Sequence, residues 1–293
     1  MLLFAEPNLS QDFYRFIWDG QLINNGLSPY LHLPKDLIIQ NGQLMHNAAE
    51  LVSGMGSLSA SNYSNYPPLN QFIFAMSTWL SGKSVVGSVL VMRTVIIISD
   101  LGILYFGRKL LQKLNKSTHL IFWYFLNPLV VLELTGNLHF EGVMLFFFIW
   151  SMYLLCSKKW LLAAIVYALS ISIKLVPLLF LPLFLKYFGF KKSMLFFAVV
   201  GITTALLVLP FYSPDFADNY METVGLWFSN FEFNAGLYNA IKKVAVSFDA
   251  KPWELIKDYG KITPIVVIAS VALFTFFRDN KKISSLLTSM LWV

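Results

Sequence analysis

The sequence is poor in charge and in cysteine, and both shortages restrict the classes of protein to consider. Only 13% of the 293 residues are charged and 57% are hydrophobic, whereas a soluble domain usually carries about 25% charged residues. The single cysteine, Cys156, excludes an internal disulfide. Because cysteine and histidine form no cluster, we expect no structural zinc site. The composition excludes an ordinary soluble domain and predicts an all-α, polytopic integral membrane protein.

The basic residues are spread in a way that indicates membrane topology. The net charge is +6, but the lysines and arginines form short clusters between apolar runs, at residues 108–116, 158–159, 186–192 and 278–282. Such spacing is typical of the positive-inside rule, whereas a nucleic-acid footprint gathers basic residues on one face. We therefore expect a lipid bilayer as a partner, and no nucleic acid.

Placing these clusters in the cytoplasm predicts the path of the chain. The runs 85–107, 119–135, 138–156, 193–212 and 262–277 then cross the membrane. Residues 160–185 begin and end inside, so they turn back near Lys174 and Pro177, where proline removes a backbone donor. Run 68–81 is too short to cross and predicts an interfacial or re-entrant helix.

This path divides the chain into four parts. They are an outer loop (1–67), a transmembrane core (68–212), a second outer loop (213–261) and a C-terminal transmembrane part (262–293). The last ten residues are apolar but supply only half of the ~20 residues that a crossing needs. We therefore expect the chain to be truncated.

Polar residues from separate segments converge on the outer face under this topology. A charge at the bilayer midplane costs roughly 2.5–3.5 kcal/mol on insertion scales, so positions of charges are informative. Each residue also has a structural explanation, because headgroups can solvate helix ends and Lys174 can snorkel to the interface. The residues that converge are Asp12, Arg15, Glu133, Asn137, His139, Glu141 and Lys174.

The stretch "SQDFYRFIWDG", residues 10–20, has the spacing of a helix. Asp12, Arg15 and Asp19 stand at i, i+3 and i+7 and so share one helical stripe. Ser10 is a candidate N-cap, and Asn24-Asn25-Gly26 is a candidate helix end. An ion-paired surface helix is the alternative, but such pairs contribute only about 0.2–0.5 kcal/mol each. Energy alone does not decide between the two interpretations.

A second aromatic segment lies in the 213–261 loop. The sequence "LWFSNFEFNAGLYNAIKK", residues 226–243, alternates aromatic and polar side chains. This pattern predicts an interfacial aromatic belt, with a substrate platform as the more specific alternative.

The stretch "QDFYRFIWDGQLINNGLSPY" resembles the first outer loop of bacterial membrane mannosyltransferases of the GT-C glycosyltransferase superfamily. The later "NYPPL", "GNLHFEG" and "SIKLVPLLFLPL" resemble further blocks of these enzymes in the same order. The resemblance implies a GT-C-like fold with short interfacial helices beside the outer first loop. Family members also have a transmembrane helix before that loop, so we expect this chain to be a fragment lacking it.

The resemblance also implies a reaction and a site. The expected reaction moves a hexose, mannose first, from a polyprenyl-phosphate sugar to an extracytoplasmic glycan or glycolipid, with inversion. Asp12 is then the catalytic general base, on the extracytoplasmic side of the cell membrane. The implied donor-phosphate ligands are Arg15, His139 and Lys174, and the implied substrate-binding residues are Asp19, Tyr66, Asn137 and Glu141.

Three points stay open from the sequence. Some family members have aspartate where Glu141 stands, which leaves its role undecided. Asp12 and Glu141 could ligate Mg²⁺ or Mn²⁺ through oxygen, but two carboxylates do not establish a metal site. A transporter or lipid-linked-sugar flippase, with the broken 160–185 segment as its binding element, is the alternative function. A non-enzymatic subunit of an envelope complex is a further candidate function.

Overall fold

A computed structural model describes residues 2–230, 236–248 and 251–293, and within those ranges every regular element is a helix. The all-α, polytopic fold class is therefore confirmed. The helices are α1 (Asp12–Asn24), α2 (Pro34–Asn41), α3 (Ala48–Ala60), α4 (Pro68–Leu80), α5 (Val85–Lys113), α6 (Phe122–Phe125), α7 (Pro128–Val130), α8 (Glu141–Cys156), α9 (Trp160–Ile171), α10 (Phe184–Phe188), α11 (Phe190–Val208), α12 (Phe216–Asn230), α13 (Gly236–Val246), α14 (Pro252–Phe277) and α15 (Ile283–Trp292).

Shorter helical turns connect several of these helices. A π-helix, Val131–Gly136, follows α7. The 3-10 turns are Leu2–Phe4, Gly42–Leu44, Thr118–Ile121, Val176–Leu183 and Leu209–Phe211.

Helices α1 and α4 form the centre of the N-terminal part. Helix α1 ends at Asn24, and Gly26 takes a left-handed φ of 77°, as the Asn-Asn-Gly signal predicts. Helix α4 begins at Pro68, a position where proline loses no helical hydrogen bond. Phe16 of α1 stacks on Phe74 of α4 with ring centroids 4.5 Å apart. These apolar contacts fix the orientation of α1.

Helices α5 and α8 lie side by side and run in the same direction. Phe106 stacks on Trp150 at 5.1 Å, and Lys109 lies 6.0 Å from the ring of Tyr153, one turn further along both helices. Parallel neighbours require the intervening chain to return to its starting level. The sequence predicts this return for run 119–135. In the structure the return is bent by 50° between Thr118–Phe125 and Pro128–Gly136.

Among the described residues, three helices are long and apolar enough to cross a membrane, or four if the bent pair is one span. The three are Val85–Lys113, Phe190–Phe211 and Pro252–Phe277, and only 33%, 17% and 11% of their most apolar windows are buried inside the protein. Apolar side chains facing outward on such helices require a lipid environment. The chain is therefore an integral membrane protein.

The segment 160–185 is broken where the sequence predicts. Helix α9 ends at Ile171 and the next 3-10 turn begins at Val176, which leaves Lys174 in the break. The hydroxyl of Tyr167 donates to the carbonyl of Pro177 at 2.6 Å, so α9 is bonded to the 3-10 turn on the other side of the break. The cation of Lys192 lies 5.8 Å from the ring of Trp160, so the chain has returned to the level where α9 begins.

Of the predicted boundaries between the four parts, one lies at the start of a helix and another lies inside a helix. The boundary after residue 67 coincides with the start of α4. The boundary after residue 261 falls inside α14, and the predicted outer segment 213–261 contains α12 and α13. The sequence does not show the start of α14 as part of an apolar run, because two lysines and two acids stand among its first ten residues.

The contact between α1 and α4 depends on Gly20. A Cβ at this position would lie 2.3 Å from the carbonyl oxygen of Phe74, which is backbone and cannot rotate away. Gly20→Ala is therefore expected to destabilise the protein by about 1–3 kcal/mol through overpacking. Thermal unfolding of the purified protein in detergent measures the change. Gly201→Ala is the matched control, because a Cβ there meets nothing within 4 Å, and equal melting of the two variants would contradict the prediction.

Candidate functional site

Four of the predicted site residues line one cavity of about 450 Å³, called the Asp12 cavity here. Asp12 comes from α1, Tyr66 from the turn before α4, Glu141 from the start of α8, and Lys174 from the break after α9. Sequence positions far apart are thus brought together at one level. The remaining lining residues are Ser59, Asn65, Pro67, Met144, Leu175, Val176, Val224 and Trp227.

Asp12 is the first residue of α1, and its side chain is exposed at the cavity. The N-cap of α1 is Gln11 rather than the predicted Ser10. The Ser10 hydroxyl still accepts a hydrogen bond from the Asp12 backbone N–H at 3.3 Å, so it supports the first turn from one position further out. The carboxylate of Asp12 is left available to a ligand.

Lys174 and Glu141 form an ion pair at the cavity wall. The ammonium of Lys174 lies 2.9 Å from Oε1 of Glu141, and the two side chains are 34% and 43% exposed. The other carboxylate oxygen of Glu141, Oε2, is buried and has no hydrogen-bond partner. This pair places a cation at the cavity, while one oxygen of its carboxylate partner is buried without a hydrogen bond.

Tyr66 is held in place through its own backbone. The hydroxyl of Tyr30, the tyrosine of the "SPY" stretch, donates to the carbonyl of Tyr66 at 2.6 Å. Burial raises the pKa of the Tyr66 phenol well above its usual value, and the nearby carboxylate of Asp12 adds to the shift. Tyr66 therefore stays protonated at neutral pH and can donate a hydrogen bond into the cavity.

Arg15 and Asp19 do not line the cavity, because both are buried behind it. Nε of Arg15 donates to Asp19 at 2.7 Å, and Nη1 donates to the carbonyls of Ser59 and Asn62 at 2.7 and 2.9 Å. The pair is thus not on the surface, and α1 is not the ion-paired surface helix considered as an alternative. The resemblance implies substrate binding for Asp19, whereas in the structure its carboxylate orients Arg15.

Asp19 has further partners that the sequence pattern did not indicate. Its second oxygen accepts from the hydroxyl of Ser64 at 2.6 Å and from the amide of Gln71 at 3.1 Å. Both partners are more than 40 positions away along the chain, so helical spacing could not reveal them. The network ties α1 to the turn before α4 and to α4 itself.

His139 and Asn137 lie on the turn between the π-helix and α8, outside the lining of the Asp12 cavity. Nδ1 of His139 is 3.6 Å from Oε2 of Glu133, and the amide of Asn137 donates to that oxygen at 3.4 Å. Oδ1 of Asn137 accepts from the backbone N–H of Leu9 at 3.2 Å. The side chain of Asn137 is therefore bonded to the backbone of Leu9, and the ring of His139 lies beside the carboxylate of Glu133.

Helix α12 contributes Val224 and Trp227 to the cavity lining. Trp227 belongs to the aromatic segment 226–243, for which a membrane belt was the first expectation. At this residue the segment forms part of the wall of the Asp12 cavity. Residues 231–235 of the same segment lie outside the described residues.

Metal ligation was left open by the sequence. In the described ranges no three histidine, cysteine, aspartate or glutamate side chains gather into a group that could hold a metal ion. Asp12 and Glu141 share the cavity, and Mg²⁺ is often bound by one or two carboxylates together with substrate phosphate oxygens.

Comparison with known proteins decides the family. Residues 2–188, more than half of the chain, match the model of the family described as alpha-(1→6)-mannopyranosyltransferase, N-terminal domain. The chain belongs to this family. The match covers the segments that carry Asp12, Tyr66, Glu141 and Lys174, and it confirms the resemblance to GT-C mannosyltransferases.

One curated relative supports the assignment to the mannopyranosyltransferase family. The chain is 22% identical over 189 residues to alpha-(1→6)-mannopyranosyltransferase A of Corynebacterium glutamicum. The aligned region covers 62% of this chain and 35% of the relative. The chain thus spans about a third of that relative's length. No solved structure matches the chain.

The buried Arg15–Asp19 pair gives a stability prediction. Asp19→Asn leaves the Arg15 cation without a counter-charge in the interior, which costs about 3–5 kcal/mol for a buried pair. We expect a large drop in the melting temperature in detergent, or loss of the folded protein. Asp36→Asn is the matched control, because Asp36 is exposed on α2. Wild-type melting of Asp19→Asn would show that the pair does not support the fold.

Proposed function

We propose that this chain acts as a membrane mannosyltransferase that transfers mannose from a polyprenyl-phosphate donor to a glycan or glycolipid acceptor. The observation that carries the proposal is the shared Asp12 cavity, where a free carboxylate and a cation face one space with an apolar side. Membership of the mannopyranosyltransferase family supports the sugar and the reaction class.

The lining of the Asp12 cavity suits a lipid-linked phosphate. Lys174 supplies the cation that a departing phosphate requires. Met144, Leu175 and Val176 supply apolar surface beside it, and Val176 lies on the break between α9 and α10. A polyprenyl chain has its phosphate in water and its tail in lipid, so a site at the membrane edge with both kinds of lining fits it.

Asp12 is proposed as the general base. It takes the proton of an acceptor hydroxyl while that oxygen bonds to the anomeric carbon, and the bond from this carbon to the phosphate oxygen breaks. The electron pair leaves with the phosphate, whose charge Lys174 neutralises. One displacement of this kind inverts the anomeric centre. Tyr66, as a neutral phenol, can donate to a sugar or phosphate oxygen.

Arg15 acts indirectly in this scheme. Its guanidinium is bonded to the carbonyl of Ser59, which is itself a lining residue. Arg15 therefore shapes the cavity wall and leaves direct contact with the phosphate to Lys174. His139 lies beside Glu133 on the adjoining turn, where it can steady the start of α8 and with it Glu141.

The central test is Asp12→Asn in the full chain. General acid–base catalysis contributes typically about 10²–10⁴-fold, so we expect mannosyl transfer from polyprenyl-phosphate mannose to fall by that factor. Membrane insertion and melting should not change, because the Asp12 side chain is exposed. Asp36→Asn should retain activity. Full activity of Asp12→Asn, or no transfer by the wild-type chain, would refute the proposal.

The proposed site is extracytoplasmic, and its side of the membrane can be tested separately. Glu141 begins α8 and Lys113 lies beside the end of α8, near Tyr153. Helix α8 has 16 residues, or about 24 Å at 1.5 Å per residue. In a Cys156→Ser background, Asp12→Cys should react with an impermeant thiol reagent from outside, and Lys113→Cys only after lysis. Labelling of both from one side would contradict the topology.

A further inference from the structure

Asp12 borders a second depression besides the Asp12 cavity. This N-terminal groove has a volume of about 420 Å³ and is lined by residues 6–14, where the chain curls into the first turn of α1. Asp12 is the one residue that lines both spaces. A carboxylate in that position can touch one ligand on each side.

The two spaces differ in chemistry. The Asp12 cavity contains Lys174 and much apolar surface. The N-terminal groove contains the carboxylate of Glu6, the amides of Asn8 and Gln11 and the hydroxyl of Ser10, and no lysine or arginine from the described part of the chain lines it. Carboxylates, amides and hydroxyls are the groups that hydrogen-bond sugar hydroxyls, whereas a phosphate requires a cation.

Two buried side chains fix the N-terminal segment, one at Leu3 just before the groove and one at Leu9 within it. Arg93, which is fully buried in α5, donates from Nη1 to the carbonyl of Leu3 at 2.8 Å. It also donates to the carbonyls of Thr135 and Gly136 at 2.9 Å each, so the N-terminal segment is joined to the π-helix. Asn137 holds the N–H of Leu9 at 3.2 Å. A groove held in this way is formed before a ligand arrives, which lowers the cost of binding.

We propose that the N-terminal groove is the acceptor subsite and that it takes an uncharged, hydroxyl-rich glycan; this inference rests on the proposed function. An inverting displacement requires the nucleophile to enter on the face opposite to the leaving group. With the donor phosphate at Lys174, the acceptor hydroxyl enters from the groove and gives its proton to Asp12. Its oxygen bonds to the anomeric carbon as the bond to the phosphate oxygen breaks.

The charge of the groove selects against acidic acceptors. Glu6 and Asp12 are the carboxylic acids among its lining residues, and the phenol of Tyr14 is neutral at pH 7 like any ordinary tyrosine side chain. An acceptor that carries phosphate or carboxylate near its reacting hydroxyl would meet repulsion with no cation to offset it.

Steady-state kinetics with the full chain test the subsite. The variant Asn8→Ala/Gln11→Ala should raise KM for methyl α-mannobioside by about tenfold, as expected for loss of two hydrogen bonds. KM for polyprenyl-phosphate mannose and kcat should stay within about twofold. Gln43→Ala, at an exposed glutamine outside both spaces, should change none of these constants. Unchanged acceptor KM in the double variant would refute the subsite while the transferase stands.

A binding measurement separates this inference from the proposed function. Saturation-transfer NMR with the Asp12→Asn chain in detergent should detect methyl α-mannobioside, and its 6-phosphate analogue should bind at least about tenfold more weakly. The disaccharide signal should vanish when Asn8→Ala/Gln11→Ala is added and persist when Gln43→Ala is added. If the disaccharide signal is lost in the double variant but the wild-type chain transfers no mannose, the proposed reaction is refuted and the groove remains a glycan-binding site. Signal that survives the double variant, or equal binding of the phosphate, would refute the groove.

Discussion

The buried ion pair between Arg15 and Asp19 is the interaction on which the proposed site depends. Arg15 donates to carbonyls at the end of α3 and in the turn after it, and Asp19 accepts from Ser64 and from Gln71 of α4. Three helices and one turn are thus joined through two charges. Because Asp12 stands one helical turn before Arg15, the same pair fixes where the proposed base points.

A second ion pair at the cavity has the opposite character, and the contrast has a chemical consequence. Arg15 and Asp19 are 3% and 0% exposed, whereas Lys174 and Glu141 are 34% and 43% exposed. Exposed pairs contribute only about 0–1 kcal/mol, so a phosphate can displace Glu141 from Lys174 at small cost. Arg15 cannot exchange partners in this way, since its counter-charge is enclosed. The accessible cation is therefore the better ligand for a transient anion.

The sequence predicted the parts of this fold that depend on local chemistry. The end of α1, the proline start of α4 and the break at Lys174 follow from capping residues and proline, which act within a few positions. The convergence of Asp12, Glu141 and Lys174 followed from topology, because a bilayer has only two faces and the predicted path brings all three residues to the same one.

Other features depend on contacts between distant segments, and these could not be predicted. The spacing of Arg15 and Asp19 shows that they can meet, but their burial comes from Ser59, Ser64 and Gln71. Asn137 has the kind of side chain that binds ligands, yet its amide oxygen accepts a hydrogen bond from the backbone N–H of Leu9. The start of α14 has a polar sequence, and its helix became evident only in the structure.

Tyr30 links the two sides of the Asp12 cavity and explains how a distant helix takes part in it. Its hydroxyl holds the backbone of Tyr66, and its carbonyl accepts from the amide of Asn219 at 2.9 Å. Its ring packs edge-on against Phe216 and Tyr220 of α12. Helix α12 brings Trp227 to the cavity but lies beyond residues 2–188, the part that matches the family. The proposed catalytic residues therefore lie in the family segment, while Tyr30 fixes beside them a wall that comes from a helix outside that segment.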